Sequence, residues 1–202
     1  MKDEKVEKGK KQKDNQNIAA TYEKAIKLLD RYVERTKDGT FKANIDEKTA
    51  KKLGIEADVF NTIMTSMNYV NEEIRKGNFV SDENKKVYLR GETTVQQSST
   101  ISATATVSGG VTKWGVGEWW GGTFYLNSTD TGRVAGYMSL NGATAEGLNY
   151  VIKQLLGRSL PFGVASFILG LGAGWLTSQN EGNGVKVTYM LGVPPVVWVS
   201  PQ

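Results

Sequence analysis

The sequence predicts an α+β protein, with an N-terminal helical hairpin or bundle followed by a mixed domain of antiparallel strands packed on a Gly-rich hydrophobic helix. Three observations lead to this prediction. Residues 1–92 hold 20 of the 25 Lys and Arg and 17 of the 21 Asp and Glu. The rest of the chain holds 18 of the 23 Gly and all five Trp. The hydrophobic period also changes, from helical before residue 77 to largely alternating after residue 84.

Residues 1–16 are almost entirely polar and predict a disordered basic tail. Six lysines in this tail raise the question of a nucleic-acid arm. Four acidic residues are interleaved with them and weaken the positive field, so no nucleic-acid partner is expected.

Residues 17–77 carry the helical period and form the predicted helical region. The first apolar stripe consists of Ile18, Tyr22, Ile26, Leu29 and Val33. Gly39 is the predicted stop of this helix. A short helix is predicted after Asn44 or Asp46, ending near Gly54. A longer helix is predicted over residues 56–76, with an apolar face of Val59, Phe60, Ile63, Met67, Val70 and Ile74.

Residues 84–202 form the predicted Gly/Trp-rich α+β domain. A strand is predicted over 84–91, and residues 93–110 alternate small apolar and hydroxyl side chains. That alternation suits an ordinary half-exposed antiparallel strand and, as the alternative, a pore-forming β-hairpin. The ordinary strand is favoured because the pattern is weak in any single segment.

The remaining elements follow from turn and cap signals. A turn is predicted near Gly121–Gly122, followed by a strand at "TFYLN". Helices are predicted from Ser128 or Asp130 to about 140 and over about 143–157, the second ending at Gly157. Two strands are predicted in 184–200, separated by Pro194 and Pro195.

The absence of two residue types excludes several chemistries. The chain contains neither Cys nor His. Disulfides, thiolate nucleophiles, Ser–His triads and Cys- or His-ligated zinc sites are therefore excluded. We expect no cofactor and no metal site.

No catalytic motif is convincing. "TDTG" at residues 129–132 matches the aspartic-protease triplet, but that chemistry needs two such loops, and a helix N-cap at Asp130 explains the motif better. "GLGAG" at 170–174 has Trp175 where a nucleotide-binding loop needs Gly. The sequence does not pair the carboxylates Glu118, Asp130, Glu146 and Glu181, so we expect no enzyme.

Residues 159–180 form a stretch of 22 residues without one charge. Three interpretations are open: a buried central helix, a segment that inserts conditionally into a membrane, and a permanent span. Its glycines weaken a constitutive span and would let another helix approach closely. The candidate membrane-inserting residues are Leu160, Phe162, Gly163, Phe167, Gly170, Gly174 and Trp175.

An aromatic cluster is the second candidate site. Its members are Trp114, Trp119, Trp120, Tyr125 and Trp198. Rings of this kind suit a membrane interface, a sugar-stacking surface or a core. Near Glu118, Asn127 and Asp130, the rings of Trp119, Trp120 and Tyr125 would form a glycan site.

One pattern resembles a family. "WWGGTFYLNSTDTGRV", an apolar Gly/Ala-rich helix and "NEGNGVKVTYMLGVPPVVWVSPQ" together resemble a loose group of small exported proteins of Gram-positive bacteria. The resemblance covers about 110–202. It implies export and a bacteriocin-like role, and it supplies no catalytic residues.

The sequence thus favours an exported bacterial protein, with its leader removed, that acts on membranes like a bacteriocin or toxin. Its expected partner is an anionic membrane surface or a cell-envelope component, because the net charge is +4. The alternative is a non-catalytic cell-wall or glycan-binding module that uses surface Trp and Tyr. A cytoplasmic location and a homo-oligomer remain open.

Overall fold

The computed structural model describes residues 2–90, 109–161, 163–192 and 194–202, with residues 2–12 described by their backbone alone. The helices are α1 (Lys2–Leu29), α2 (Glu47–Lys52), α3 (Ala57–Arg75), α4 (Ser128–Met138), α5 (Ala145–Leu156), α6 (Val164–Leu171) and α7 (Ala173–Ser178). The strands are β1 (Val33–Arg35), β2 (Phe41–Ala43), β3 (Phe79–Ser81), β4 (Lys86–Leu89), β5 (Lys113–Trp114), β6 (Gly117–Glu118), β7 (Gly122–Leu126), β8 (Val185–Met190) and β9 (Val196–Pro201). The predicted α+β class with antiparallel strands is confirmed.

The strands of the described residues form three antiparallel sheets. One is the hairpin β1–β2, the second has the order β3–β4–β6, and the third has the order β5–β7–β8–β9. We call the third the central sheet. Every strand pair in these sheets is antiparallel.

Helix α1 begins earlier and ends earlier than predicted. It runs from Lys2 through the segment predicted to be disordered. Asn15 is buried in this segment, where its side-chain amide donates to the Val199 carbonyl and accepts from the Val199 backbone N–H in β9. These two hydrogen bonds attach a polar stretch that has no apolar face of its own. The helix ends at Leu29, so Val33 is a strand residue. Gly39, at φ 84°, lies between β1 and β2 and does not end a helix.

The other predicted helices of the first half are confirmed. Asp46 caps α2 by accepting a hydrogen bond from the backbone N–H of Thr49. The predicted apolar face of α3 is buried, and Gly77 follows this helix at φ 77°. The predicted strand over 84–91 is β4, and it pairs with β3, a strand that no sequence pattern predicted.

The uncharged segment forms two short helices rather than one. Gly172 separates α6 from α7 with φ 87° and ψ 147°, a backbone conformation that breaks a helix and that L side chains rarely adopt. Among the described helices, none combines the length and the apolar character needed to cross a membrane. The predicted strand or hairpin over 93–110 falls almost entirely outside the described residues, and so does Phe162.

The central sheet separates two cores. One face packs against α4–α7 through an apolar cluster that includes Phe124, Val187 and Val199. The other core joins α1 and α3 to Trp119 and Trp198. The predicted helical region, 17–77, and the predicted Gly/Trp-rich domain, 84–202, therefore share a core, because the N-terminal helices pack on the second region.

Candidate functional site

A groove of about 1130 Å³ lies between α1 and the face of the central sheet that α4–α7 do not cover. The residues that line it come from α1, from the strands of the central sheet and from the β6–β7 turn. Its charged, hydroxyl and aromatic lining residues are Glu23, Lys27, Asp30, Lys113, Trp114, Glu118, Trp120, Thr123, Tyr125, Lys186, Thr188 and Trp198. We call this feature the groove.

The sheet wall of the groove follows from strand alternation. In one register row, Tyr125 is paired with Lys113 on one side and with Lys186 on the other. In the next row, Thr188 lies between Thr123 and Trp198. Side chains two residues apart share a face, so both rows present lysine, hydroxyl and aromatic groups to the same side.

The helix wall of the groove is a polar stripe on α1 and the turn that follows it. Glu23, Lys27 and Asp30 follow the spacing i, i+4, i+7, which places them on one helical face. The indole N–H of Trp198 donates to Glu23 Oε1 over 3.2 Å. The indole N–H of Trp119 donates to Asp30 Oδ1 over 2.9 Å. Two tryptophans thus tie the carboxylates of the helix wall to the rest of the protein.

The structure brings three of the five predicted aromatic residues together at the helix-facing side of the sheet. The ring of Trp198 stacks on Trp120 with centroids 6.3 Å apart and on Tyr22 with centroids 6.1 Å apart. Trp198 is buried, whereas Trp120 and Tyr125 are half-buried. The ammonium of Lys113 lies 5.6 Å from the ring centroid of Tyr125. Trp120 and Tyr125 are therefore two half-buried rings on this side of the sheet that line the groove.

The other two predicted aromatic residues have different surroundings. Trp119 is 1% exposed and belongs to the core under α1 and α3. Trp114 pairs in register with Phe124, and their ring centroids lie 5.5 Å apart beside the core that faces α4–α7. Trp114 is half-buried and also contributes to the lining of the groove. The predicted five-residue cluster therefore does not form one surface.

The charges of the groove differ in how they are paired. Asp30 forms an ion pair with Lys85 over 3.0 Å, and Glu118 is paired with Lys86. Burial raises the pKa of the Glu118 carboxyl, and the Lys86 ammonium opposes that shift. The ion pairs between described residues include none of Lys27, Lys113 and Lys186, so these three ammonium groups are available to a ligand.

The candidate membrane-inserting residues are divided between core and surface. Leu160 and Trp175 are buried against the central sheet, and Phe167 is half-buried. Gly170 and Gly174 are exposed, and nothing lies within 4 Å of a Cβ built at Gly170. Among the described residues, no second helix approaches Gly170 closely. Gly163 is at φ 80°, where it begins α6.

Asp130, the carboxylate of the "TDTG" motif, is held by hydrogen bonds at a helix start. Asp130 lies at the start of α4, where Thr112 and Asn127 donate to its carboxylate, and Asn127 is the N-cap itself. Within the described residues, no group of three or more Asp or Glu side chains is arranged to hold a metal ion. The motif "TDTG" therefore lies at a helix start, but the predicted N-cap at Asp130 is wrong, because Asn127 is the N-cap and Asp130 is the third residue of α4.

The sequence patterns did not identify most of the polar groove residues. The alternation in "VKVTYM" places Lys186 and Thr188 on one face of β8 and could have identified them. The polar stripe on α1 was also visible at helical spacing. What no pattern showed is that these two surfaces face each other, because Lys27 and Lys186 lie near opposite ends of the chain.

Comparisons with protein-family models, with curated proteins and with solved structures find no match for this chain. The resemblance to small exported proteins of Gram-positive bacteria therefore stays a prediction. The case for a function depends on the groove and on the chemistry of its walls.

Proposed function

We propose that the protein is a non-catalytic glycan-binding module and that the groove is its binding site. The observation that carries this proposal is the pair of half-buried rings, Trp120 and Tyr125, in one groove with both hydrogen-bond donors and acceptors. A sugar presents apolar C–H faces and polar hydroxyls. Aromatic rings can cover the first, and charged or hydroxyl side chains can bond the second.

The groove supplies both kinds of hydrogen-bonding partner. Ammonium groups on Lys27, Lys113 and Lys186 can only donate, and the carboxylate of Glu23 accepts. The hydroxyls of the threonines in the sheet wall do both. A sugar hydroxyl also donates and accepts, so this mixture matches a polyhydroxylated ligand better than a purely apolar one.

The size of the groove favours a chain of sugars over a single small molecule. Its volume of about 1130 Å³ lies above the common range for small-molecule pockets, which is roughly 300–1,000 Å³. Cell-wall and surface glycans are polymers, and an oligosaccharide segment of such a polymer would occupy a groove of this size.

The test is binding to purified peptidoglycan and to a glycan array. Tyr125→Ala removes the ring between Lys113 and Lys186, and we expect it to weaken binding about tenfold or more, since ring truncation at a binding hot spot costs about 2 kcal/mol. Tyr125→Phe keeps the ring and should retain most of the binding. Tyr150→Ala is the matched control, because Tyr150 is 63% exposed on α5, away from the groove.

Two outcomes would refute the glycan proposal. One is that the wild-type protein binds neither peptidoglycan nor any arrayed glycan. The other is that Tyr125→Ala and Tyr150→Ala bind equally well. Thermal unfolding of each variant shows whether lost binding comes from lost folding.

The membrane-active role predicted from the sequence remains a prediction. Insertion of 159–180 would require α6 and α7 to leave the central sheet and expose buried side chains such as Ile168, Trp175 and Leu176. Liposomes of anionic lipid loaded with a dye test this role at neutral and acidic pH. Dye release with a change in tryptophan fluorescence would support it, and the absence of both release and binding would end it.

A further inference from the structure

Two lysines flank one aromatic ring in the sheet wall of the groove. Lys113 in β5 and Lys186 in β8 are both paired in register with Tyr125 of β7. Residues paired in this way share one face of a sheet, and all three line the groove. Neighbouring strands lie about 4.8 Å apart, so the backbones at the two lysines are about 10 Å apart. A sugar unit stacked on Tyr125 therefore has a lysine on either side.

Neither of these two ammonium groups is neutralised by the protein. The ion pairs and side-chain hydrogen bonds between described residues include neither Lys113 nor Lys186. The Lys113 ammonium contacts the Tyr125 ring instead, at 5.6 Å from its centroid. Two like charges on either side of one position repel each other, and an anion bound between them would relieve that repulsion.

The carboxylates of the groove already have partners elsewhere. Glu23 and Asp30 belong to the helix wall, where each accepts a hydrogen bond from an indole N–H. Asp30 is also paired with Lys85 over 3.0 Å. Glu118 is paired with Lys86. Every acidic side chain among the described lining residues thus has a partner, whereas the two lysines of the sheet wall have no partner of opposite charge.

The row of the two lysines is also open at one end. β5 is an edge strand of the central sheet among the described residues, and Lys113 is exposed there. Lys186 lies further inside and is half-buried. A polymer that crosses Tyr125 could therefore extend past Lys113 into solvent, with its charged groups beside both lysines.

We propose that the glycan bound in the groove is acidic, and that Lys113 and Lys186 hold a carboxylate or phosphate group of the sugars at Tyr125. This inference rests on the glycan proposal and names the class of glycan. A neutral hydroxyl can also accept a hydrogen bond from an ammonium group, but an anion adds the Coulomb attraction of two positive charges. Two lysines beside one ring therefore favour sugars that carry a negative charge.

The experiment is binding of the full chain to a glycan array that holds matched pairs with a shared sugar backbone. One pair is oligogalacturonate and its methyl ester, which tests a carboxylate. The other is phosphorylated and unphosphorylated mannose oligosaccharide, which tests a phosphate. We expect the acidic member of at least one pair to bind about tenfold more tightly than its neutral partner, and added salt to reduce the difference.

Variants of the two lysines separate charge from hydrogen bonding. Lys186→Gln removes the charge and keeps a donor, so it should weaken binding of the acidic glycan about fivefold and leave binding of the neutral one unchanged. Adding Lys113→Gln should bring the loss to about tenfold or more. Lys186→Arg keeps the charge and should retain most of the binding.

Lys153→Gln is the matched control. Lys153 is exposed on α5, which packs on the other face of the central sheet, so this change lowers the net charge equally without touching the groove. We expect it to bind like the wild type. Thermal unfolding of each variant shows that lost binding does not come from lost folding.

Two results would each overturn this inference and leave the glycan proposal standing. One is that no acidic glycan binds more tightly than its neutral partner, while Tyr125→Ala still weakens binding. The other is that Lys186→Gln and Lys153→Gln have the same effect on binding of the acidic glycan. Absence of binding to every glycan would refute both proposals.

Discussion

The two faces of the central sheet are built from the same strands and have opposite surfaces. Toward α4–α7 the sheet presents buried apolar side chains, among them Phe124, Leu126 and Val187. Toward α1 it presents Lys113, Lys186 and other polar groups beside aromatic rings. One set of strands thus supports a closed core on one side and an open groove on the other.

The two faces are also held to their helices by different interactions. The α4–α7 layer packs by burial of apolar surface. The layer of α1 and α3 adds specific polar bridges: Asn15 bonds the backbone of Val199, and Ser66 donates to Trp120 O and accepts from the backbone N–H of Leu191. Because such bridges fix position at a few points, they can hold α1 over β9 and leave the neighbouring strands β5 and β7 open.

The largest loss of stability is expected from a change in the core between the central sheet and α4–α7. Leu148→Ala deletes a side chain with no exposed surface in α5, and we expect it to lower the free energy of unfolding by about 2–5 kcal/mol, because it leaves a cavity in a packed core. Urea unfolding measures this loss. Leu140→Ala is the control, since Leu140 is 60% exposed and should change stability by less than about 0.5 kcal/mol. Equal effects of the two changes would mean that α5 does not pack as described.

A smaller loss of stability is expected from removing the hydrogen bonds that join α1 to β9. Asn15→Ala leaves the backbone N–H and C=O of Val199 without their side-chain partner, at a cost of about 1–3 kcal/mol. Hydrogen exchange should show reduced protection in α1 and unchanged protection in α5. Asn17→Ala, at an exposed position of the same helix, is the matched control. Unchanged protection of α1 in Asn15→Ala would show that this bridge does not hold the helix.

The smallest expected effect is a loss of stability in acid, and it arises in the β1–β2 turn. Asp38, in the β1–β2 turn, accepts hydrogen bonds from Thr36 and Thr40, which lower its pKa from 3.8 to about 2. A pKa that is lower in the folded state gives stability above pH 3.8 that is lost as the pH falls toward 2. The urea midpoint of the wild-type protein should therefore fall over this window.

The Asp38→Asn variant sharpens that test. It lacks the charge, so it should be less stable at neutral pH and lose less stability than the wild type as the pH falls through the same window. Asp14→Asn, exposed on α1, serves as the control and should follow the wild-type profile. A wild-type profile identical to that of Asp38→Asn would contradict the role of the turn hydrogen bonds.

Local sequence patterns were sufficient to predict most of the helices and strands. The N-cap of α2 and the stops of α3 and α5 were predicted, because Asp46, Gly77 and Gly157 act on the chain within a few residues of themselves. The first helix was less predictable. Its polar start is fixed by Asn15 through a bond to Val199, 184 residues away. The predicted continuation to Val33 was wrong, because the hairpin β1–β2 takes up the next apolar residues.

The sequence by itself determined the class of the fold, the helix α3 with its apolar face, the strands β7, β8 and β9, and the exclusion of Cys and His chemistry. Only the tertiary structure decided that 159–180 breaks at Gly172, that Trp119 lies in the core under α1 and α3 and not in the groove, and that α1 lies across from Lys113 and Lys186. The physical reason is the sequence distance over which each interaction acts. Caps and periodicity depend on interactions within a few residues, whereas a groove forms between surfaces that meet only after the chain has folded.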